Sequence, residues 1–324
     1  MTVTAAEPYK IHSATDPTVS VIIPAYNAAK YIREALDSVF AQTFTSYEVI
    51  VINDGSLDTE ELERELKRYP DGLRYIKHEN RGAAAARNAG LRVAAGELVA
   101  FLDADDKWSP TFLEKQIGLL ERSQADLVYA DAILSGESPL AGRTFMEMDP
   151  CQGEVTPENL LGTKVAVLTS TVVARKKPIL EVGLFDETFR RGQDFELWLR
   201  LAKRGVRFAH QREVLAYHRI VETGLSGDTI SQLKRTLSVF EGIKSKEELT
   251  PSESAALQFT MNRTLRELAL EDGKEKLLRK DFAGARQSFD EAKKFRHSWK
   301  LILVSLGLRV APEMLWRIYN RLLV

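Results

Sequence analysis

The 324-residue chain contains one cysteine, Cys151, which excludes an internal disulfide framework and any cysteine-built zinc site. Its neighbours, Asp149-Pro150-Cys151-Gln152-Gly153, read as a turn rather than as the setting of a nucleophile. Charge of one sign is also missing: 45 basic side chains nearly balance 46 acidic ones, for a formal net charge of -1. No global field therefore draws the chain to nucleic acid or to an anionic membrane. No apolar run reaches the roughly 18 to 20 residues needed to span a bilayer. The amino terminus shows no basic segment followed by an apolar core, so a cytoplasmic location is the expectation. A G-x-G-x-x-G turn is lacking too. The first strand-like run, Val19 to Pro24, leads instead into Ala25-Tyr26-Asn27, which counts against a dinucleotide-dependent oxidoreductase.

What is present alternates between two periods. β-branched runs at Val19 to Pro24, Tyr47 to Asn53, Leu73 to Lys77 and Glu97 to Leu102 read as strands. Between them, Asn27 offers an N-cap to a helix carrying Ile32, Ala35, Leu36, Val39 and Phe40 at helical spacing. Thr59 to Tyr69 and Arg81 to Ala95 read as two further helices. This alternation predicts an α/β fold with a mostly parallel central sheet and helices on both faces. A strand at Asp126 to Ala130, a turn-rich stretch from Ser135 to Pro157 and a helix over Leu197 to Lys203 follow. Beyond about Thr229 the composition becomes helical throughout. The expected organisation is a polar arm over 1–17, an α/β domain over 18–225 and a helical region over 226–324.

Three of the strands end in polar or acidic residues: Asn27, Asp54 and the cluster Asp103-Ala104-Asp105-Asp106. In an open α/β sheet such ends converge on one crevice, where ligands bind. Carboxylates this close repel unless a cation or water screens them, and a hard divalent ion suits oxygen ligands together with substrate phosphates. The alternative for the cluster is a solvated turn leading into a helix that starts near Ser109-Pro110. Gly192-Gln193-Asp194-Phe195-Glu196 opens the helix of 197–203, so Asp194 is either its N-cap or an acid displayed at its start.

Taken in order, Val19-Ser20-Val21-Ile22-Ile23-Pro24-Ala25-Tyr26-Asn27, Val51-Ile52-Asn53-Asp54-Gly55-Ser56, Asn80-Arg81-Gly82 with Ala86-Arg87-Asn88-Ala89-Gly90, Phe101 to Asp106, Gly192 to Trp198 and Tyr217-His218-Arg219 resemble the family 2 glycosyltransferases. The resemblance covers about residues 18 to 222. It implies the GT-A fold, with a nucleotide-sugar-binding part over 18–120 and an acceptor part over 121–225. It also implies a nucleotide-diphosphate-sugar donor, by resemblance a UDP-sugar, a Mn²⁺ or Mg²⁺ ion and an inverting transfer to a saccharide or lipid-linked glycan.

Carried over by motif, Pro24, Ala25 and Tyr26 would line the nucleoside pocket and Asp54 would bind the base. Arg81 or Arg87 would lie near the nucleotide, and Asp103 would contact the ribose. Asp105 would hold the metal, with His218 as a further metal or phosphate contact, and Asp194 would be the general base. Family members often carry Glu-Asp where this chain has Gln193-Asp194, which makes Glu196 the rival base. A module that binds nucleotide-sugar without turnover is the alternative function.

In the last third, Leu277 to Arg286 with Phe289 and Ala292 looks like one tetratricopeptide-type helix pair. Residues 311–324 place Leu315, Trp316, Ile318, Tyr319, Leu322 and Leu323 beside Arg317 and Arg321. Such a helix either lies on the cytoplasmic face of a membrane or docks on its own domain.

Overall fold

Four β-branched runs build the parallel half of the sheet: β1 (Val19–Ala25), β2 (Tyr47–Asp54), β3 (Leu73–His78) and β4 (Leu98–Phe101). In the computed structural model, which describes residues 16–69, 73–148, 151, 153–220, 229–296 and 299–322, these join β5 (Lys107–Trp108), β6 (Leu127–Ser135), β7 (Val173–Arg175) and β8 (Phe208–Arg219). The strand order is β3-β2-β1-β4-β7-β6-β8-β5. Strands β1 to β4 pair in parallel. The sheet then turns antiparallel at β7, which pairs with both β4 and β6. It returns to parallel between β6 and β8, where the register shifts near Asp131. Thus the sheet is mixed, and β5, β7 and β8 are the strands that sequence periodicity did not reveal.

Helices α1 (Ala29–Phe40), α2 (Thr59–Leu66) and α4 (Phe112–Ser123) cover one face of this sheet, while α3 (Ala83–Val93) and α8 (Gln193–Lys203) cover the other. Short helices α5 (Phe145–Met148), α6 (Pro157–Leu161) and α7 (Lys176–Glu181) fill the connections. Successive strand residues point to opposite faces, so Val21 and Ile23 enter one core and Ile22 the other. Both cores are fully buried, which explains why the parallel strands read as continuous apolar runs. Each buried Val, Leu, Ile or Phe contributes roughly 1.5–3 kcal/mol. Helix α3 comes close to the sheet because of Gly90, where a Cβ would lie 2.7 Å from Ile22 Cγ2 and 3.0 Å from Ile52 Cδ1.

Pro24 lies inside β1 rather than ending it. Ile22 accepts from Leu102 N on the β4 side, and residues two apart in a strand face the same neighbour. Pro24 therefore turns its missing N–H toward β4 just past the last paired residue, where no ladder bond is lost. The start of α1 differs from expectation as well. Asn27 does not cap it; the N-cap is Ala28, and Asp58 Oδ2 accepts from Ala29 N at 2.8 Å.

The chain divides into two compact units after Val221. The boundary expected between residues 225 and 226 lies outside the described residues, as do Thr223-Gly224-Leu225-Ser226 and nearly all of the amino-terminal arm. The second unit consists of α9 (Thr229–Lys246), α10 (Pro251–Leu278), α11 (Phe282–Phe295), α12 (Trp299–Val310) and α13 (Pro312–Leu322). A capping box between Thr250 and Glu253 starts α10. Asp281 caps α11 through Gly284 N. Gly273 admits the Phe289 ring, which a Cβ would meet at 2.9 Å. Among the described residues, no helix is long and apolar enough to cross a membrane.

Candidate active site

The ends of β1 and β2 are stitched together by short polar side chains. Asn27, held at φ 52°, receives Leu57 N on Oδ1 at 2.8 Å, and its own N–H donates to Ser56 Oγ at 3.1 Å. Asn53 Oδ1 accepts from Ser56 N at 2.8 Å. Ala25 is buried beneath this knot, Pro24 is half-buried, and the Tyr26 side chain stands out at 50% exposure. Gly55 is required at the corner: φ is +66°, and a Cβ would fall 2.5 Å from Asn80 N.

Asp54 is 3% exposed and holds the next loop. Its two carboxylate oxygens accept from Arg81 N and Gly82 N, each at 2.8 Å. That grip places the start of α3, which in turn carries Arg87 inward. The two arginines that the sequence left as alternatives now differ sharply. Arg81 reaches away to Glu187 at 2.6 Å with a largely exposed side chain. Arg87 is buried, lies over the Phe185 ring and donates to Asp103 Oδ1 at 2.5 Å. Its Nε and second terminal nitrogen are buried without a hydrogen-bond partner. Asn88, next in the chain, staples α3 to Phe185 through paired backbone bonds.

The three carboxylates after β4 have three different environments. Asp103 is paired with Arg87. Asp106 is fully buried and accepts from His218 Nδ1 at 3.0 Å and from Arg219 N at 2.8 Å. Asp105 has no ion pair among the described residues; burial, with the negative charges of Asp106 and Asp103, pushes its carboxyl up to about 7. At His218 burial works against the charged form, but the bond to Asp106 and the surrounding acids more than offset it and raise the imidazole to about 9. Arg219 closes the cluster by donating Nε–H to Asp105 O at 3.0 Å, reaching Glu34 at 2.9 Å and lying 4.7 Å from the Tyr31 ring centre. The helix after the acids begins at Phe112 with Thr111 as N-cap, so none of the three acids caps it.

Asp194 is not the N-cap of α8. Gly192 occupies that position, and Asp194 sits half-buried in the first turn with Oδ1 on Phe195 N and Oδ2 accepting from Thr169 Oγ1 at 2.7 Å. The rival Glu196 is engaged elsewhere. It is 3% exposed and bound at both oxygens by Arg200, which also donates to the carbonyls of Val182 and Leu184. A buried carboxylate clamped in this way is structural.

Sequence reasoning missed the part that joins these groups, the buried 3₁₀ turn Thr169–Thr171. Thr169 holds Asp194, while Ser170 Oγ accepts from Asp103 N at 3.1 Å. The carbonyls of Ser170 and Thr171 take the side chains of Trp108, at 2.7 Å, and Gln116, at 2.6 Å. The available signal was a run of three hydroxyl residues ahead of an apolar strand, too short to register as an element. Asp103, Asp105, Asp106, Arg87, His218 and Asp194 thereby form one linked cluster. Tyr26, Asp54 and Arg81 belong to the neighbouring loop system, joined to it through α3.

The chain has known relatives. The family model for glycosyl transferase family 2 matches residues 20–181, half of the chain. The chain belongs to glycosyltransferase family 2. An Erwinia amylovora relative of this family 2 chain, the amylovoran biosynthesis glycosyltransferase AmsB, is 32% identical over 219 residues, covering 64% of this chain and 72% of that protein. The Bacillus subtilis protein TuaG, a putative teichuronic acid biosynthesis glycosyltransferase, is 31% identical over 232 residues, covering 70% and 89%. Several Rickettsia glycosyltransferases are longer, and the chain spans about a third of their length or less.

Among solved structures, Staphylococcus aureus TarS 1-349 in complex with UDP superimposes with a TM-score of 0.59 at 19% identity, over 94% of this chain and 90% of that one. The Pyrobaculum calidifontis mannosyltransferase PcManGT, in complex with GDP-Man and Mn²⁺, gives 0.62 at 18%, over 100% and 88%. These likenesses establish the GT-A fold for the family 2 chain.

Proposed function

We propose that the chain transfers a sugar from a nucleotide-diphosphate sugar to a hydroxyl of a saccharide or lipid-linked glycan, with inversion at the anomeric carbon. The observation that supports this reading is the Thr169–Thr171 turn, which links Asp194 to Asp103 of the acid cluster. The transfer needs a group to take a proton and a means to tolerate a departing diphosphate. Asp194 is the base: its carboxylate accepts the proton of the acceptor hydroxyl as the oxygen attacks C1. The C1–O bond to the diphosphate breaks on the opposite side, and its electron pair leaves with the phosphate oxygen. A single displacement inverts the centre and needs no second carboxylate nucleophile, unlike the two-step route of retaining glycosidases.

Two observations fit a divalent cation, Mn²⁺ or Mg²⁺, at Asp105. Burial first, and then the negative charges of Asp106 and Asp103, raise the Asp105 carboxyl to about 7, and a cation would offset both. The Asp106–His218 Nδ1 contact is the carboxylate–histidine pairing that orients a ligating imidazole. Among the described residues no group of three or more His, Cys, Asp or Glu is assembled to hold a metal. An ion here would therefore have one or two protein ligands, and substrate phosphates would have to fill its shell. When bound, such an ion neutralises charge developing on the leaving diphosphate.

Pro24, Ala25 and Tyr26 border the nucleoside side. Asp54 accepts from two backbone N–H groups and lies 3.3 Å from His78 Nδ1; a base N–H would take a remaining lone pair. Arg87, rather than Arg81, is the arginine on the nucleotide side, where it orients Asp103 toward the ribose. A UDP-sugar is the favoured donor because TarS was crystallised with UDP and with UDP-GlcNAc. A growing polysaccharide is the favoured acceptor, in keeping with the names of AmsB and TuaG.

The test is Asp194→Asn, assayed for UDP release from UDP-sugars and for UDP binding by titration calorimetry with Mn²⁺. Loss of a general base lowers turnover by about 10²–10⁴-fold while UDP binding persists. Undiminished turnover in the variant would remove Asp194 from its role.

A further inference from the structure

Helix α12 is apolar on two opposite faces. Leu301, Ser305 and Leu308 are buried, with Leu301 and Leu308 joining Leu277, Phe289 and Ala292 in the core of the second unit. On the other side, Trp299, Ile302, Leu303, Leu306 and Val310 are 51–77% exposed. Their spacing of i, i+3, i+4, i+7 and i+11 makes them one continuous stripe along the helix. Helix α13 extends this character: Leu315, Trp316 and Tyr319 pack on the same core, while Met314 and Ile318 stand exposed one turn apart. Lone exposed apolar residues are ordinary, but a contiguous apolar stripe marks an interaction surface.

The charges around the stripe indicate what covers it. Between Trp299 and Leu322 there are four basic residues, Lys300, Arg309, Arg317 and Arg321, against one acid, Glu313. At 3.6 residues per turn, Lys300 and Arg309 fall on the two flanks of the α12 stripe. Arg317 and Arg321 share the exposed side of α13 with Met314 and Ile318. We infer that the exposed face of α12 and α13 is a docking surface for an anionic lipid bilayer. The apolar side chains and Trp299 enter the boundary between headgroups and acyl chains, and the flanking cations extend to lipid phosphates. A second copy of the chain fits less well. A two-fold interface would set this cation-rich face against itself, and like charges in contact oppose association. The inference does not depend on the transferase reading.

The test is flotation of the full chain with vesicles of phosphatidylglycerol and phosphatidylcholine, compared with phosphatidylcholine alone. The chain is expected to float with the anionic vesicles and to be released by salt. Leu303→Ser with Leu306→Ser should abolish flotation while circular dichroism and melting stay unchanged, since both side chains are exposed. Arg317→Gln with Arg321→Gln should weaken binding roughly thirtyfold, because each cation near an anionic surface contributes about fivefold. Failure to float, or flotation indifferent to both variants, overturns the inference. So does a dimer in light scattering that the two serine substitutions dissociate without any vesicle binding.

Discussion

The acid cluster after β4 and the start of α8 offer a direct comparison, because each presents several carboxylates within a few residues and sorts them differently. At α8 the sorting is complete: Glu196 is clamped by Arg200, and Asp194, half-buried, has a hydroxyl partner in Thr169. In the cluster it is incomplete, since Asp103 and Asp106 have cationic partners while Asp105 between them has none and is held up to about 7. Glu196, held at both oxygens by its own helix, serves the fold, whereas Asp105, without an ion pair among the described residues, is the acid on which the proposed cation site rests.

The sharpest way to break that comparison is to remove each acid at α8. Glu196→Ala leaves the half-buried Arg200 without its carboxylate partner and is expected to cost about 3 kcal/mol in chemical denaturation, the low end for a broken buried pair. Asp194→Ala orphans the buried Thr169 hydroxyl and should cost less, about 1 kcal/mol; equal losses would mean that the sorting is wrong. In the acid cluster, Asp106→Ala orphans the His218 imidazole and should cost about 1–3 kcal/mol. Asp105→Ala should instead keep the fold and lose the Mn²⁺ dependence of UDP binding, read by calorimetry with and without chelator. The linking turn gives a smaller effect. Thr169→Val removes one hydrogen bond to a charged group, predicting roughly a tenfold lower kcat with KM for the donor unchanged, and Thr169→Ser should restore it.

The smallest effect is a control away from the pocket. His210 on β8 stacks on Tyr129 at 4.9 Å, and burial lowers its pKa below 6.5 despite the opposing charge of Asp131. The unfolded chain then binds a proton that the folded chain refuses, so stability is full above pH 6.5 and falls as pH drops below it. His210→Gln should flatten that slope in denaturation curves between pH 7 and 5; an unaltered slope would reassign it to other groups.

The parallel half of the fold was legible because its information is local. Runs such as Val19 to Ile23 declare burial on both faces, and the glycine and acid punctuation marks where each strand ends. Of the mixed half only β6 was legible. Strand β7 is three residues long, and its partners β4 and β6 lie far away in sequence. At α1, Asn27 satisfied the local rule for an N-cap, yet Asp58 from the next loop reached the helix end.

By itself the sequence determined the chemical inventory: which residue types punctuate the strands, which helix has two apolar faces, and where acids cluster. Residue spacing carries that information, because strand and helix periods are properties of the backbone alone. Only the tertiary structure decided which carboxylate is neutralised and which is left without an ion pair. That depends on a guanidinium or a hydroxyl arriving from an element distant in the chain, as Arg87 does at Asp103 and Thr169 at Asp194.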